Sequence, residues 1–288
     1  MQQCDPKGLR SLVRLIKDIR DEGRNVIGLS AKGVYKLQQR KGNRYDSEFL
    51  DRWLDSFLLS RIGTNALADQ FCAIASKEDG GLGRPTGITE LRCDASKICS
   101  QAALASSYLC YQYTSHEPAF TIENYKAGLM GPQATPCEFS YIPSFLRYIL
   151  CELLKNSFQA TVKTSCHPSD IKERPVRIRV CRDETRVAIM VSDEAGGIPF
   201  EVGDKIWSYM HGAAARSSEE GNANLLAGYG VGLPCARLYA RYLGGKLSIT
   251  SYPGFGTQAH VFLPRIVSSQ IEMLPVGAKL EHASISDM

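Results

Sequence analysis

Glu152-Leu153-Leu154-Lys155-Asn156 is the stretch on which the reading of this chain turns. It belongs to a segment that opens at Pro143, a residue suited to the first turn of a helix. Within it Leu146, Ile149, Leu150, Leu153 and Leu154 recur at helical spacing and define a buried face. Glu152 and Asn156 are four residues apart and so share another face. A carboxylate and an amide on one helix face suit Mg²⁺-nucleotide chemistry. The amide oxygen can ligate the cation, and the carboxylate can take a proton from a nucleophile. The same pair also suits an ordinary solvated helix surface, so the decision rests on what accompanies it.

Three further motifs follow in order. Ser192-Asp193-Glu194-Ala195-Gly196-Gly197-Ile198-Pro199 closes an apolar strand, where a carboxylate before a glycine pair can meet the edge of a base; the plain alternative is a turn. Gly228-Tyr229-Gly230-Val231-Gly232-Leu233-Pro234 leads into a helix, which allows close backbone approach to phosphate and adds helix N-terminal donors. It lacks the GxGxxG spacing of a dinucleotide fingerprint. Gly254-Phe255-Gly256-Thr257 stands between two strands and offers a hydroxyl, or forms a simple hairpin.

Around these motifs the chain divides into a helical half and an α+β half. Leu9, Leu12, Val13, Ile16 and Ile19 predict a packed amphipathic helix; its acids, Asp5, Asp18, Asp21 and Glu22, argue against a transit peptide. Asp46 or Ser47 opens a helix in which Phe49, Leu50, Trp53, Leu54, Phe57 and Leu58 read as one apolar stripe, continuing through Ile62, Leu67, Phe71 and Ile74. Asp94 is placed to cap another, with Ile98, Ala102, Ala105 and Leu109 on one side. Long helices joined by loops suggest an antiparallel bundle. After Glu117 come turn-rich segments, then strands of period two at Val176–Val180 and Val187–Val191, a helix over Gly232–Leu243, and strands at Lys246–Ser251 and Thr257–Leu263. This half predicts a mixed sheet with helices on one face.

The chain has 288 residues and a net charge of +4, too mild to call for nucleic acid or an anionic membrane as partner. No apolar run is long enough to span a bilayer. Ten cysteines form no CxxC pair and no zinc spacing, and read as reduced, mostly buried thiols. Val187-Ala188-Ile189-Met190 looks like a VAIK strand, but methionine stands in the lysine position and the chain has no HRD, DFG or GxxxxGK[ST]. His211 and His260 lack metal-ligand companions.

Taken as an ordered set, the four motifs resemble the N box and glycine boxes of the Bergerat (GHKL) ATP-binding fold. Phe49-Leu-Asp-Arg, Ser60-Arg-Ile, Glu152-Leu-Leu-Lys-Asn-Ser, Trp207-Ser-Tyr-Met and Ala236-Arg-Leu-Tyr-Ala-Arg-Tyr-Leu-Gly-Gly narrow the likeness. With them the chain resembles the mitochondrial kinases of the 2-oxo acid dehydrogenase complexes, pyruvate or branched-chain, from near Leu9 to about Pro264. The resemblance implies a helical-bundle regulatory domain at 1–116, expected to lack the family's first part, a GHKL kinase domain at 117–266 and a tail at 267–288. It implies ATP and Mg²⁺ as cofactors and a serine of the E1α subunit as acceptor, with Glu152 the general base and Asn156 the Mg²⁺ ligand. Asp193 would bind the adenine amine, supported by Thr257. Gly197, Gly228, Gly230, Val231, Gly232 and Leu233 would complete the nucleotide site, and residues 208–227 would form a lid. The implied partners are E1α and the lipoyl-bearing E2 core, with a homodimer as a further expectation and the mitochondrial matrix as location.

Some positions depart from the family pattern. Ala195 replaces a glycine, Gln159 an arginine, and 212–215 lack the lid hydroxyls. Tyr148 stands one turn before Glu152, as in the branched-chain kinase, where pyruvate-type enzymes carry histidine. The alternatives are a catalytically weak or inactive nucleotide-binding scaffold of the same fold, and a histidine kinase. The second would need His116 on a helix, next to Pro118.

Overall fold

The computed structural model describes residues 6–40, 45–78, 87–211 and 230–265. Its first part is helical: α1 (Pro6–Glu22), a 3₁₀ turn (Gly23–Asn25), α2 (Val26–Arg40) and the long α3 (Ser47–Glu78). α1 is joined to α3 by an Arg20–Asp69 ion pair, and the 3₁₀ turn by the Arg61 guanidinium donating to the Gly23 carbonyl. It forms as the periodicity predicts, yet Leu12 and Ile19 are exposed, so it is only partly packed.

α3 corrects the expectation of one broad stripe. Leu50, Leu54, Leu58 and Ile62 are buried, while Phe49, Trp53 and Phe57 are exposed, as are Leu67, Phe71 and Ile74. The two sets lie one residue apart in phase, about 100° around the helix, and only the first faces neighbouring elements. Trp53 and Phe57 stack on each other at 5.6 Å instead.

β1 (Glu90–Asp94) pairs antiparallel with β3 (Glu138–Tyr141). Asp94 caps α4 (Ala95–Thr114) as predicted: its Oδ1 accepts the N–H groups of Ser96 at 2.9 Å and Lys97 at 3.3 Å. Such a cap contributes about 1 kcal/mol. Ile98 and Ala102 are buried, whereas Ala105 is exposed and outside the predicted face. α4 packs along α5 (Pro143–Thr164) and touches the first strand of the main sheet. A short α6 (Pro168–Glu173) follows.

The main sheet has five strands in the order β2-β4-β5-β7-β6. β2 (Phe120–Lys126) is a parallel edge strand that the turn-rich reading of this region did not anticipate. β4 (Val176–Arg182), β5 (Arg186–Asp193), β6 (Lys246–Tyr252) and β7 (Gly256–Pro264) are antiparallel and match the predicted alternation. Val176, Ile178, Val180, Val187, Ile189 and Val191 point inward and are at most 1% exposed. Each contributes about 1.5–3 kcal/mol of apolar burial. Over that face lie α4, α5 and α7 (Gly232–Tyr242). The fold is the expected α+β sandwich, a mixed sheet with helices on one face.

α7 is held on two sides. Against α5, the Phe145 ring meets Tyr239 edge-on at 4.9 Å, and Tyr148 meets Tyr239 at 4.4 Å. Against α3, the helices cross at Gly63, where a Cβ would lie 3.3 Å from the Tyr242 ring. Among the described residues no helix is long and apolar enough to cross a membrane. Most described cysteines are buried, Cys93, Cys99 and Cys235 fully, but Cys166 and Cys181 are exposed. Burial pushes the Cys93 and Cys235 thiols up to about 12, which makes them poor nucleophiles.

Candidate active site

The helix α5 presents Glu152 to the first turn of α7. Glu152 Oε1 accepts from Lys155 Nζ at 2.5 Å, and both side chains are only 17% exposed. The other oxygen occupies the space a side chain at Gly232 would need: a Cβ there would stand 2.0 Å from Oε2 and 2.9 Å from Cδ. Gly232 is thus required by the carboxylate beside it and not by its own dihedrals. The partial positive charge of the α7 N-terminus favours an anion at this place. Gly230, just before, adopts φ +73°, a conformation that L side chains rarely adopt. Val231 is buried and Leu233 half-buried beside it. Asn156 lies one turn beyond Glu152, on the exposed side of α5. Gly228 and residues 212–227 of the expected lid lie outside the described residues.

At the other end of the site, β5 delivers Asp193 to a pocket where it is 5% exposed. The β5–β7 register pairs it with Thr257. Asp193 Oδ2 accepts from the Ser157 hydroxyl at 2.8 Å; Oδ1 accepts the N–H groups of Ala195 at 3.2 Å and Thr257 at 3.3 Å. Burial raises the carboxyl above its ordinary value, and these three donors oppose that rise. The backbone packs closely around it. A Cβ on Gly256 would meet the Asp193 carbonyl oxygen at 2.0 Å, and one on Gly197 (φ +71°) the Tyr252 carbonyl oxygen at 2.3 Å. The Thr257 hydroxyl lies 3.0 Å from that of Ser251, which also accepts the Ile198 N–H at 2.7 Å.

The structure thus brings Glu152, Val231, Gly232 and Leu233 to one place, with Asn156 next to it. Asp193, Gly197 and Thr257 gather at a second, and α5 runs between them. Ser157 ties the two together, since it follows Asn156 and bonds Asp193. Sequence reading missed Ser157 as a donor; a hydroxyl directly after the N-box asparagine was the available signal. It also missed Lys155, whose spacing of three from Glu152 indicates an ion pair. Tyr148 donates its hydroxyl to Cys235 on α7, and its burial raises it well above the ordinary phenol value. Ala195 raises no backbone conflict: among the described residues Ser115 is the one non-glycine with positive φ. His116 follows the left-handed Ser115 that ends α4, so it does not stand on a helix as a phosphoacceptor would.

The donor sets fit a Mg²⁺-nucleotide. A buried, acceptor-only carboxylate suits an exocyclic amine. The α7 start offers helix N-terminal N–H donors and positive dipole charge to phosphate, and an exposed neutral amide oxygen suits a hard cation that keeps its other oxygen ligands.

This geometry is that of a GHKL-type ATPase, and the comparisons agree. Residues 141–266 match the family of histidine kinase-, DNA gyrase B- and HSP90-like ATPases, and residues 4–94 match mitochondrial branched-chain alpha-ketoacid dehydrogenase kinase. The chain is 31% identical over 275 residues to the mitochondrial pyruvate dehydrogenase (acetyl-transferring) kinase of Drosophila melanogaster, covering 94% of this chain and 66% of that protein. It is 31% identical to human isozyme 4 over 277 residues, covering 96% and 66%. The corresponding kinase of Ascaris suum is 30% identical over 275 residues, covering 95% and 68%. The chain therefore belongs to the mitochondrial 2-oxo acid dehydrogenase kinase family, and it spans about two thirds of the length of these relatives.

Proposed function

We propose that this chain is an ATP-dependent protein serine/threonine kinase that phosphorylates the E1α subunit of a pyruvate or branched-chain 2-oxo acid dehydrogenase complex in the mitochondrial matrix, and thereby inactivates it. The observation that carries the reading is the Glu152 carboxylate, held by Lys155 and seated against Gly232 at the start of α7, one turn from Asn156. In this reading Glu152 accepts the proton of the attacking serine hydroxyl. Asp193, with Thr257 beside it, accepts from the adenine amine, and Gly197 lets the backbone approach the base. Gly228, Gly230, Val231, Gly232 and Leu233 line the phosphates. Asn156 holds Mg²⁺, which supplies charge neutralisation at the phosphates when bound. In this reading catalysis rests on orientation and charge.

The E2 core, with its lipoyl groups, presents the substrate in this reading, and a second copy of the chain is a further partner. The domain division at 1–116, 117–266 and 267–288 is part of the proposal, with α4 forming the seam. The relatives named above act on pyruvate dehydrogenase, while Tyr148 follows the branched-chain pattern, so both E1 components belong in the test. An inactive scaffold is not favoured, because Ala195 sits without strain and Glu152 and Asn156 are both in place. The test is phosphate transfer from labelled ATP to each E1 on its E2 core. Label on an E1α serine supports the reading; no label on either E1 refutes it.

A further inference from the structure

The carboxylate of Asp55, on α3, lies outside the nucleotide site and yet is the meeting point of three elements. Its Oδ1 accepts from the Tyr209 hydroxyl at 2.8 Å. Its Oδ2 faces Arg237 at 3.6 Å and Arg241 at 3.9 Å, both on α7. One turn earlier on α3, Asp51 Oδ1 accepts the Tyr209 backbone N–H at 2.9 Å. Tyr209 is fully buried by this arrangement. The Arg237 guanidinium lies 4.9 Å over the Trp207 ring, at the end of the 3₁₀ turn Gly203–Trp207. Asp55 therefore joins α3 to α7 and to residues 207–209 at once.

α7 is also the element that carries Gly232, and the Glu152 carboxylate fills the space beside Gly232. The α5–α7 contact combines the Phe145, Tyr148 and Tyr239 rings with the Tyr148–Cys235 hydrogen bond; the α3–α7 contact adds the Asp55 charge to the packing of Gly63 on Tyr242. Moving α7 along α5 by even a fraction of a turn changes the place of the Glu152 carboxylate and of the phosphate-lining backbone together.

We propose that Asp55 is a positioning residue for nucleotide binding and phosphoryl transfer: through Tyr209 and Arg237 it sets the place of α7 and hence the register of Gly230–Gly232 against Glu152. The inference rests on the kinase reading above. It means that the helical half of the chain acts on the nucleotide site through one carboxylate. A force on α3 changes ATP affinity without contact with the nucleotide.

The test uses the full chain carrying Trp53→Phe, so that Trp207 is the only tryptophan. Asp55→Asn keeps the size and removes the charge; Tyr209→Phe removes only the hydroxyl. ATP affinity is read directly by equilibrium binding, and KM and kcat by phosphate transfer. Asp55→Asn is expected to weaken ATP binding at least fivefold, to raise KM for ATP in parallel, and to shift the Trp207 emission. Tyr209→Phe is expected to have a smaller effect of the same kind, and the double variant to match Asp55→Asn rather than the product of the two. Unchanged ATP binding and emission in Asp55→Asn overturns the inference. So does a fall in kcat alone, in proportion to the unfolded fraction, or multiplicative single effects. Direct ATP binding separates this outcome from the kinase reading: a parent chain that binds ATP but labels no E1 refutes the latter, while the binding comparison still decides the former.

Discussion

Gly232→Ala separates catalysis from stability at this site. A methyl group at 232 would stand 2.0 Å from Glu152 Oε2, so the carboxylate must retreat by about 1.4 Å to reach the 3.4 Å at which ordinary contact begins. The obstructing atom is the far end of a flexible side chain, so the fold adjusts at small cost. An off-rotamer glutamate costs about 0.5–1.5 kcal/mol, and at the first position of α7 alanine recovers little helix propensity over glycine. The melting temperature is therefore expected to move by only a few degrees. Catalysis is different, because a displacement of about 1 Å costs on the order of 100-fold in rate. The assay is single-turnover phosphate transfer at saturating ATP, with thermal unfolding of the same preparation. Transfer at the parent rate, or a fall no larger than the loss of folded protein, would show that the place of the Glu152 carboxylate does not set the rate.

The remaining predictions concern the base end of the site. Asp193 has a raised folded-state value, so the stability linked to its proton is lost as pH rises through that value, and its ionised form is a cost at pH 7. Asp193→Asn is expected to keep or raise the melting temperature at pH 7, since its oxygen still accepts from Ala195 and Thr257 and its amide donates to the Ser157 hydroxyl. The parent gains on the variant as pH falls through the raised value, which melts across pH check. In the proposed reading ATP affinity falls at least tenfold by calorimetry, because the amide N–H₂ then faces the adenine amine, donor against donor. Gly256→Ala is expected to destabilise by about 3 kcal/mol or more in chemical denaturation, since its methyl meets backbone, the Asp193 carbonyl oxygen and Glu194 Cα, and backbone cannot swing aside. Ala195→Gly relieves no strain, so activity stays unchanged while stability drops by about 0.4–1 kcal/mol from the freer unfolded chain.

The sequence is most informative where one residue type has one job. Period-two valines and isoleucines specify β4 and β5 with their inward face, and the leucines of α5 specify its buried side, because each pattern has a single neighbour to satisfy. β2 was not legible: Phe120 and Ile122 alternate with Thr121 and Glu123, but the run stops at Asn124 and is too short to stand out from the turns around it. The α3 stripe was read as too wide, since an apolar residue in sequence does not say whether anything faces it. At the site, the motif residues themselves were legible. The bond from Ser157 to Asp193 and the Asp55 junction were not, because they join elements far apart in the chain and depend on how α5, α3 and α7 come together.

Glu152→Gln, compared with the parent chain in transfer of labelled phosphate to E1 on its E2 core, bears on the role of the carboxylate itself. Glutamine keeps the size of the side chain and removes its basicity. ATP is expected to bind with affinity within a few-fold of the parent, while label on the E1α serine falls by about 10²-fold or more. Equal labelling by parent and variant would contradict Glu152 as the base, and loss of ATP binding together with labelling would contradict the division of roles between Glu152 and Asp193.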